Sequence, residues 1–382
     1  MDGIRAGRAR TSARVDVLIP AYNAAATIAE SVGSIQRQTV RDIRIVVVND
    51  GSTDATGSIL AGLASQDARI EVVTRPNGGI VEALNSGLAV CTSELIARHD
   101  ADDLAFPDRL DVQCRFLDAH PDCVAVDSHY WHINDEGKRT DLRNLTAGDV
   151  DPIPTMVPSQ EPYLMHPFLT VRAAPVHAVG GYRYVFHSED TDLYWRLLPF
   201  GRLHHIASVL GEYRIHGGSI SSASVLNGRI AAVNAQLAAV SHLRRAAGKP
   251  DILFPREMLD RYKAAGSLRR IIDVAAEQLT SDEAGYLAAA TAAKLVELSL
   301  FRPYLPDDED AATIADALRD NRRLLSPSNR QHVEAMRGKL AVRLLRRQRY
   351  KAAALLSPGL VPMARVLGHK AVRRLRRPKA VI

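Results

Sequence analysis

Over residues 15–127 short β-rich runs alternate with segments of helical spacing, and this alternation limits the fold more than any other feature of the chain. VDVLIP at 15–20 leads into a helical pattern over 24–38, IRIVVVND at 43–50 into one over 54–66, and IEVVT at 70–74 into one over 80–90. ELIARHD at 94–100 precedes another over 107–120, and VAVDS at 124–128 closes the series. Strands alternating with helices of this length read as βαβ units, predicting an α/β, Rossmann-like, mostly parallel sheet. Sheets of this kind bind ligands beyond the carboxyl ends of their strands. Those ends carry PAYN at 20–23, NDGSTD at 49–54 and HDADD at 99–103, so polar residues gather where a site is expected.

After the last of these runs the pattern changes. A short strand pair is expected around Asn134–Gly137, then comes a Pro-rich stretch at 152–162 and the segments HPFLTVR, GGYRYVFHSEDTDLYWRL and GEYRIHGGSIS. This part is expected to complete the same domain and cover its site. From about residue 223 glycines thin out and Ala/Leu/Arg-rich segments follow at helical spacing, with Thr280 or Ser281 as a helix N-cap. The predicted organisation is a basic arm over 1–14, a catalytic domain over 15–222, a helical region over 223–334 and a basic amphipathic tail over 335–382.

Composition excludes several classes. With 382 residues, 46% of them hydrophobic, 24 Gly and 19 Pro, the chain is neither disordered nor collagen-like. Its three cysteines form no C-x-x-C pair, which fits a reduced cytosolic protein rather than a disulfide scaffold or zinc site. The basic start has no apolar core behind it and there is no uncharged apolar run of about 18 residues, so neither secretion nor a membrane span is expected. The net charge of +6 hides an asymmetry: residues 335–382 hold fourteen Lys or Arg and no acid, leaving 35 basic against 43 acidic residues elsewhere. LAVRLLRRQRYKAAALL and VPMARVLGHKAVRRLRR mix apolar and basic residues at helical spacing, which predicts peripheral attachment to an anionic cytoplasmic membrane surface. Apart from Tyr350 the tail lacks the aromatic residues on which bases stack, and no nucleic-acid partner is expected.

Asp50 ends a strand and precedes Gly51-Ser52-Thr53-Asp54, where a carboxylate can accept from a nucleobase N–H or a ribose hydroxyl. Ordinary turn and cap chemistry by Ser52 or Asp54 is the competing account. Asp100, Asp102 and Asp103 crowd like charges onto another strand end, a cost that a cation would offset, and Mg²⁺ or Mn²⁺ takes such oxygen ligands beside phosphates. No G-x-G-x-x-G follows the first strand and no G-K-[ST] loop is present, so dehydrogenase and phosphate-loop signatures are missing.

Nine blocks in order over about 15–221 resemble the family-two glycosyltransferases, inverting enzymes of the A-type nucleotide-sugar fold. They are VLIPAYN (17–23), VVVNDGSTD (46–54), NGGIVEALNSGL (77–88), IARHDADD (96–103), PDRL (107–110), HPFLTVR (166–172), GGYR (180–183), SEDTDLYWRL (188–197) and YRIHGGSIS (213–221). The resemblance implies that Pro20, Tyr22, Asn23 and Asp50 hold the nucleoside of a nucleoside diphosphate sugar, with Asp100 near the ribose or sugar. It implies a Mn²⁺ or Mg²⁺ ion on Asp102, with Asp103 as the alternative ligand, and assigns His216 to the metal or diphosphate. Asp190 aligns with the general base, and Glu189 beside it is a second catalytic candidate. Inverting transfer needs such a base because the acceptor hydroxyl must lose its proton as it attacks. Glu189 and Asp192 could equally be helix N-terminal acids, and His166 and Arg183 could face the acceptor or be buried hydrogen-bonding residues. The family's products imply a glycan or lipid-linked acceptor in surface polysaccharide synthesis. The rival is a non-catalytic sugar-nucleotide or glycan-binding module, which would have no use for a general base.

Overall fold

The computed structural model describes residues 13–143, 147–215 and 224–357. The chain divides into two compact units, the first from 1–151, 162–183 and 196–216, the second from 152–161, 184–195 and 217–382.

The first unit is built on one sheet of ten strands among the described residues, ordered β3-β2-β1-β4-β9-β6-β10-β5, with β7 on β6 and β8 on β10. Strands β1 (Val15–Ala21), β2 (Ile43–Asp50), β3 (Ile70–Arg75) and β4 (Leu95–Arg98) are parallel neighbours. Between them run α1 (Ile28–Gln36), α2 (Thr56–Gln66) and α3 (Ile80–Leu88). After the short β5 (Leu104–Ala105) and α4 (Arg109–Ala119), β6 (Cys123–Ile133) turns back through 134–138 into β7 (Arg139–Arg143), followed by β8 (Gly148–Asp149). These bounds lie within a few residues of the predicted alternation and include the strand pair expected at 134–137. HPFLTVR contains a strand that the alternation did not show, β9 (Thr170–Arg172), which lies antiparallel between β4 and β6. Then come α5 (Ala173–Ala178) and the long β10 (Arg202–Arg214), parallel to β6. Val17, Ile19, Ile45 and Val47 are fully buried against Ile28, Val32, Ile35 and Leu60 of α1 and α2, so one sheet face carries much of the core.

The second unit is helical. It contains α6 (Glu189–Leu197) as far as Trp195, then α7 (Val225–Ala246), α8 (Met258–Ala265), α9 (Leu268–Ala276), α10 (Ser281–Phe301), α11 (Asp308–Asp320), α12 (Pro327–Arg346) and α13 (Tyr350–Leu356). Thr280 caps α10 in a reciprocal box with Glu283, the first of the two caps the sequence allowed. By length and mean hydropathy α10 alone among the described helices is apolar enough to cross a membrane, yet half of that window is buried within the protein. Its Leu287, Leu295 and Val296 pack in the helical core.

Two expectations change here. Segment 184–195, with Glu189 and Asp190, groups with the helices and not with the sheet. The tail also does not begin at 335, since α12 runs through that point, and Leu340, Leu344, Ala352, Ala353 and Leu356 are core residues of the helical unit. These five positions therefore face other helices rather than a lipid interface, because burying them there removes more apolar surface from water. The second stretch, 361–377, lies outside the described residues, as do residues 1–12 of the basic arm over 1–14.

Candidate active site

Four parallel strands bring the first cluster together. Asp50 is in register with Arg75, Asn49 with Ala21 and Arg98 with Leu18, so residues following β1, β2, β3 and β4 share one sheet edge. Beyond Pro20, the Tyr22 side chain is 53% exposed and Asn23 adopts a left-handed φ of 49°. Two loops are joined there. Asn23 N donates to Ser52 Oγ at 3.0 Å, Thr53 N donates to Asn23 Oδ1 at 2.8 Å, and Asp54 accepts from Ala25 N at 3.1 Å and Thr56 N at 2.9 Å. Ser52 and Asp54 thus do turn chemistry, leaving Asp50 for a different task. Gly51, at φ 71°, makes the turn possible, because a Cβ there would lie 2.5 Å from Asn77 N.

Asp50 is buried and well supplied with donors. Its carboxylate accepts from Arg75 Nη1 at 2.7 Å, from Gly79 N at 2.8 Å and from Gly78 N at 3.1 and 3.2 Å. Its carbonyl accepts from Asn77 Nδ2 at 3.1 Å, and Arg75 also pairs with Glu82 at 2.8 Å. Asp50 therefore anchors the NGG turn and Arg75 at the edge where it was expected to hold a nucleoside.

The aspartates after β4 converge. Oxygen atoms from Asp100, Asp102 and Asp103 all lie within 4.8 Å of one another. Asp100 pairs with the buried Arg98. Asp103 is fully buried: Oδ1 accepts from Arg214 N at 2.8 Å, while Oδ2 is buried with no hydrogen-bond partner among the described residues. Burial first, then the charges of Asp100 and Asp102, push its carboxyl well above the usual range. Behind the cluster, Arg109 Nη1 donates to His99 Nδ1 at 3.2 Å, and burial brings the Arg109 guanidinium down to about 9. Burial, then Arg109 and Arg98, hold His99 neutral.

Arg214 joins this cluster to two other segments. Its guanidinium donates to Asp102 O at 2.9 Å, Asn134 O at 3.1 Å, Asp135 O at 3.1 Å and Glu30 Oε2 at 3.0 Å. Sequence reasoning passed over this arginine although it sits inside the YRIH block. An arginine at the end of a β-rich run, next to an expected ligand, was the available signal. His216, two residues on, lies outside the described residues. His166 is buried, with Nε2 2.8 Å from the Tyr182 hydroxyl, and burial holds it well below the usual histidine range. This geometry fits the buried hydrogen-bonding alternative for His166.

Glu189 and Asp190 open α6, where the helix dipole favours acids. Within the helical unit Asp190 acts electrostatically on Glu161, whose carboxyl is pushed up by burial, held back by Lys294 and raised further by Asp190. Glu161 accepts from Lys294 Nζ at 3.1 Å and Gln236 Nε2 at 2.9 Å, and Lys294 also meets Glu297 at 3.3 Å. Nothing in the sequence linked Glu161 or Lys294 to Asp190.

Asp103 yields a first prediction. Its proton is held more tightly in the folded chain than in the unfolded one, where an aspartic acid titrates near about 3.9. Above that pH unfolding releases the proton, so Asp103's contribution to stability is full in acid and declines as pH rises toward its folded pKa. Asp103→Asn, which mimics the neutral acid, should melt higher than wild type at pH 8 without metal, with the gap closing toward pH 4. A melting-temperature difference that does not change with pH would contradict this.

The profile of Glycosyl transferase family 2 matches residues 16–178. EpsE of Bacillus subtilis (strain 168), which carries a glycosyltransferase name, is 32% identical over 193 residues, 49% of this chain and 68% of EpsE. The chain belongs to glycosyl transferase family 2. A chondroitin synthase of Pasteurella multocida (strain Pm70) is 26% identical over 209 residues, 54% of this chain. This chain spans only 21% of the length of that synthase and 27% of another curated relative. The fold matches S. aureus TarS 1-349, solved in complex with UDP-GlcNAc, at a TM-score of 0.53 and 16% identity, covering 94% of this chain and 92% of that one. The A-type glycosyltransferase fold expected from the sequence is therefore present.

Proposed function

We propose that the chain is a metal-dependent inverting glycosyltransferase that moves a sugar from a nucleoside diphosphate sugar to an acceptor hydroxyl, in surface glycan or polysaccharide synthesis. The aspartate cluster carries this reading. Three carboxylates converge on the strand-end edge used by α/β ligand sites, and the unpartnered Asp103 Oδ2 is the kind of buried oxygen a cation would satisfy. Asp102 and Asp103 would hold Mn²⁺ or Mg²⁺, with Asp100 restrained by Arg98 toward the ribose or sugar. Such an ion, when bound, offsets the charge of the diphosphate leaving group. Tyr22 offers its exposed ring to the nucleobase, and Pro20 and Asn23 shape the loop around it. Asp50 acts on the nucleoside through the turn and the Arg75 that it holds.

Transfer is a single displacement. The acceptor oxygen forms the new bond to the anomeric carbon as the bond to the diphosphate breaks, and Asp190 takes the acceptor's proton, so no enzyme nucleophile is required. Glu189 orients the acceptor. The fourteen basic residues of 335–382 favour peripheral contact with an anionic cytoplasmic membrane, which would keep the enzyme near a lipid-linked acceptor.

The test is a thermal-shift panel of UDP-, dTDP- and GDP-sugars with and without Mn²⁺, followed by assay of nucleoside diphosphate release. A matching donor at a hundred times its Kd stabilises by about 2.7 kcal/mol, an easily measured rise in Tm. If no donor shifts the melt and none yields nucleoside diphosphate, the reading is wrong.

A further inference from the structure

Helices α12 and α13 meet at a sharp corner. Arg347 N and Arg349 N both donate to Leu344 O, at 2.9 and 3.0 Å, and Gln348 takes a left-handed φ of 58°. With the backbone closed on itself, every side chain from Leu345 to Lys351 (LRRQRYK) is exposed, Tyr350 by 66%. The segment that carries Phe301 is tied to α12 just before this corner. Arg343 of α12 donates to Ser299 O at 2.5 Å and Arg302 O at 2.9 Å, carbonyls on either side of Phe301, whose ring is 80% exposed. Arg337 and Arg343 thus spend their charge on carbonyls inside the unit, while Arg346, Arg347 and Arg349 have no ion pair or side-chain hydrogen bond among the described residues. Lys351 has only Asp308, at 3.9 Å. The chain then continues through 358–382 with seven more Lys or Arg and no acid.

We propose that this corner, Leu345–Lys351, together with Phe301, docks the protein onto the anionic lipid headgroups of a bilayer. Unpaired arginines supply charge complementary to such a surface, and an exposed Phe and Tyr are the side chains that enter an interface. The surface is a folded corner rather than a helix lying on its apolar face, because that face is already in the core. The inference deepens the membrane reading above and rests on it.

The test is co-sedimentation of the full chain with vesicles of phosphatidylcholine alone or mixed with phosphatidylglycerol. Wild type should bind only the mixed vesicles, less tightly as salt rises. Arg346→Gln/Arg347→Gln/Arg349→Gln should weaken partitioning roughly a hundredfold. Arg319→Gln/Arg322→Gln/Arg323→Gln, which removes the same charge elsewhere on the helical unit, should cost far less. Phe301→Ser/Tyr350→Ser should remove the binding that survives at high salt. If wild type ignores both vesicles, or binds an RNA oligonucleotide in preference, the membrane reading itself fails. If wild type binds mixed vesicles and the corner variants bind as well as wild type or only as poorly as the matched control, this inference alone is overturned.

Discussion

Replacing Asp190 by Asn should lower nucleoside diphosphate release by roughly 10²–10⁴-fold while leaving donor affinity unchanged. Asparagine preserves size and can still accept from Thr191 N, which Asp190 Oδ1 does at 2.7 Å, so the start of α6 should hold and the melting temperature should barely move. What is lost is the capacity to accept a proton. Glu189→Gln should lower turnover less and mainly raise the acceptor KM, since an orienting group contributes to binding. The reverse pattern, near-normal turnover in the Asp190 variant and collapse in the Glu189 variant, would exchange the two roles.

The second large effect is expected at Arg214. Arg214→Met removes a buried guanidinium that serves three carbonyls and Glu30 across separated segments. A hydrogen bond from a charged donor commonly contributes about 1.5–3 kcal/mol, less where the acceptor is exposed as Glu30 is, and Arg214 makes several. The variant should therefore melt well below wild type. Arg214→Lys keeps the charge but cannot reach four acceptors with one ammonium group, so it should recover only part of the stability. Its Mn²⁺ affinity, measured by titration of the free ion, should stay below wild type even at temperatures where it is fully folded, because Asp102 is no longer fixed through its carbonyl. A lysine variant with normal Mn²⁺ affinity would make Arg214 merely structural.

The sheet was legible because β1 to β4 and their helices obey two clean periodicities, and the bounds of β2 coincide with those read from IRIVVVND. The aspartate cluster was legible because its members are adjacent in sequence. What escaped depends on contacts between distant segments. β9 has three residues, too few to show a period, and its place in the sheet comes from pairing with β4 and β6. Asp50's engagement with Arg75 and Gly79 joins strand ends through a turn whose path no local pattern specifies. The apolar content of 340–356 has the same spacing for a helix on a membrane as for one in a core, and only the neighbouring helices decide between them.

The division of the chain bears on the order in which activity can emerge during synthesis. The helical unit gathers 152–161 and 184–195 with the described residues after 216, so two of its pieces are made long before the rest. Val157 and Phe186 belong to a core whose other walls include Leu295, Val296 and Leu340. Lys294, the cation held against Glu161 near Asp190, leaves the ribosome some hundred residues after that aspartate. A nascent chain arrested shortly after β10 would therefore carry its aspartate cluster on a sheet already complete, yet the surroundings of Asp190, the base in the proposed function, would still be unmade. Under that proposal, donor binding could precede transfer, which would have to wait for the last helices.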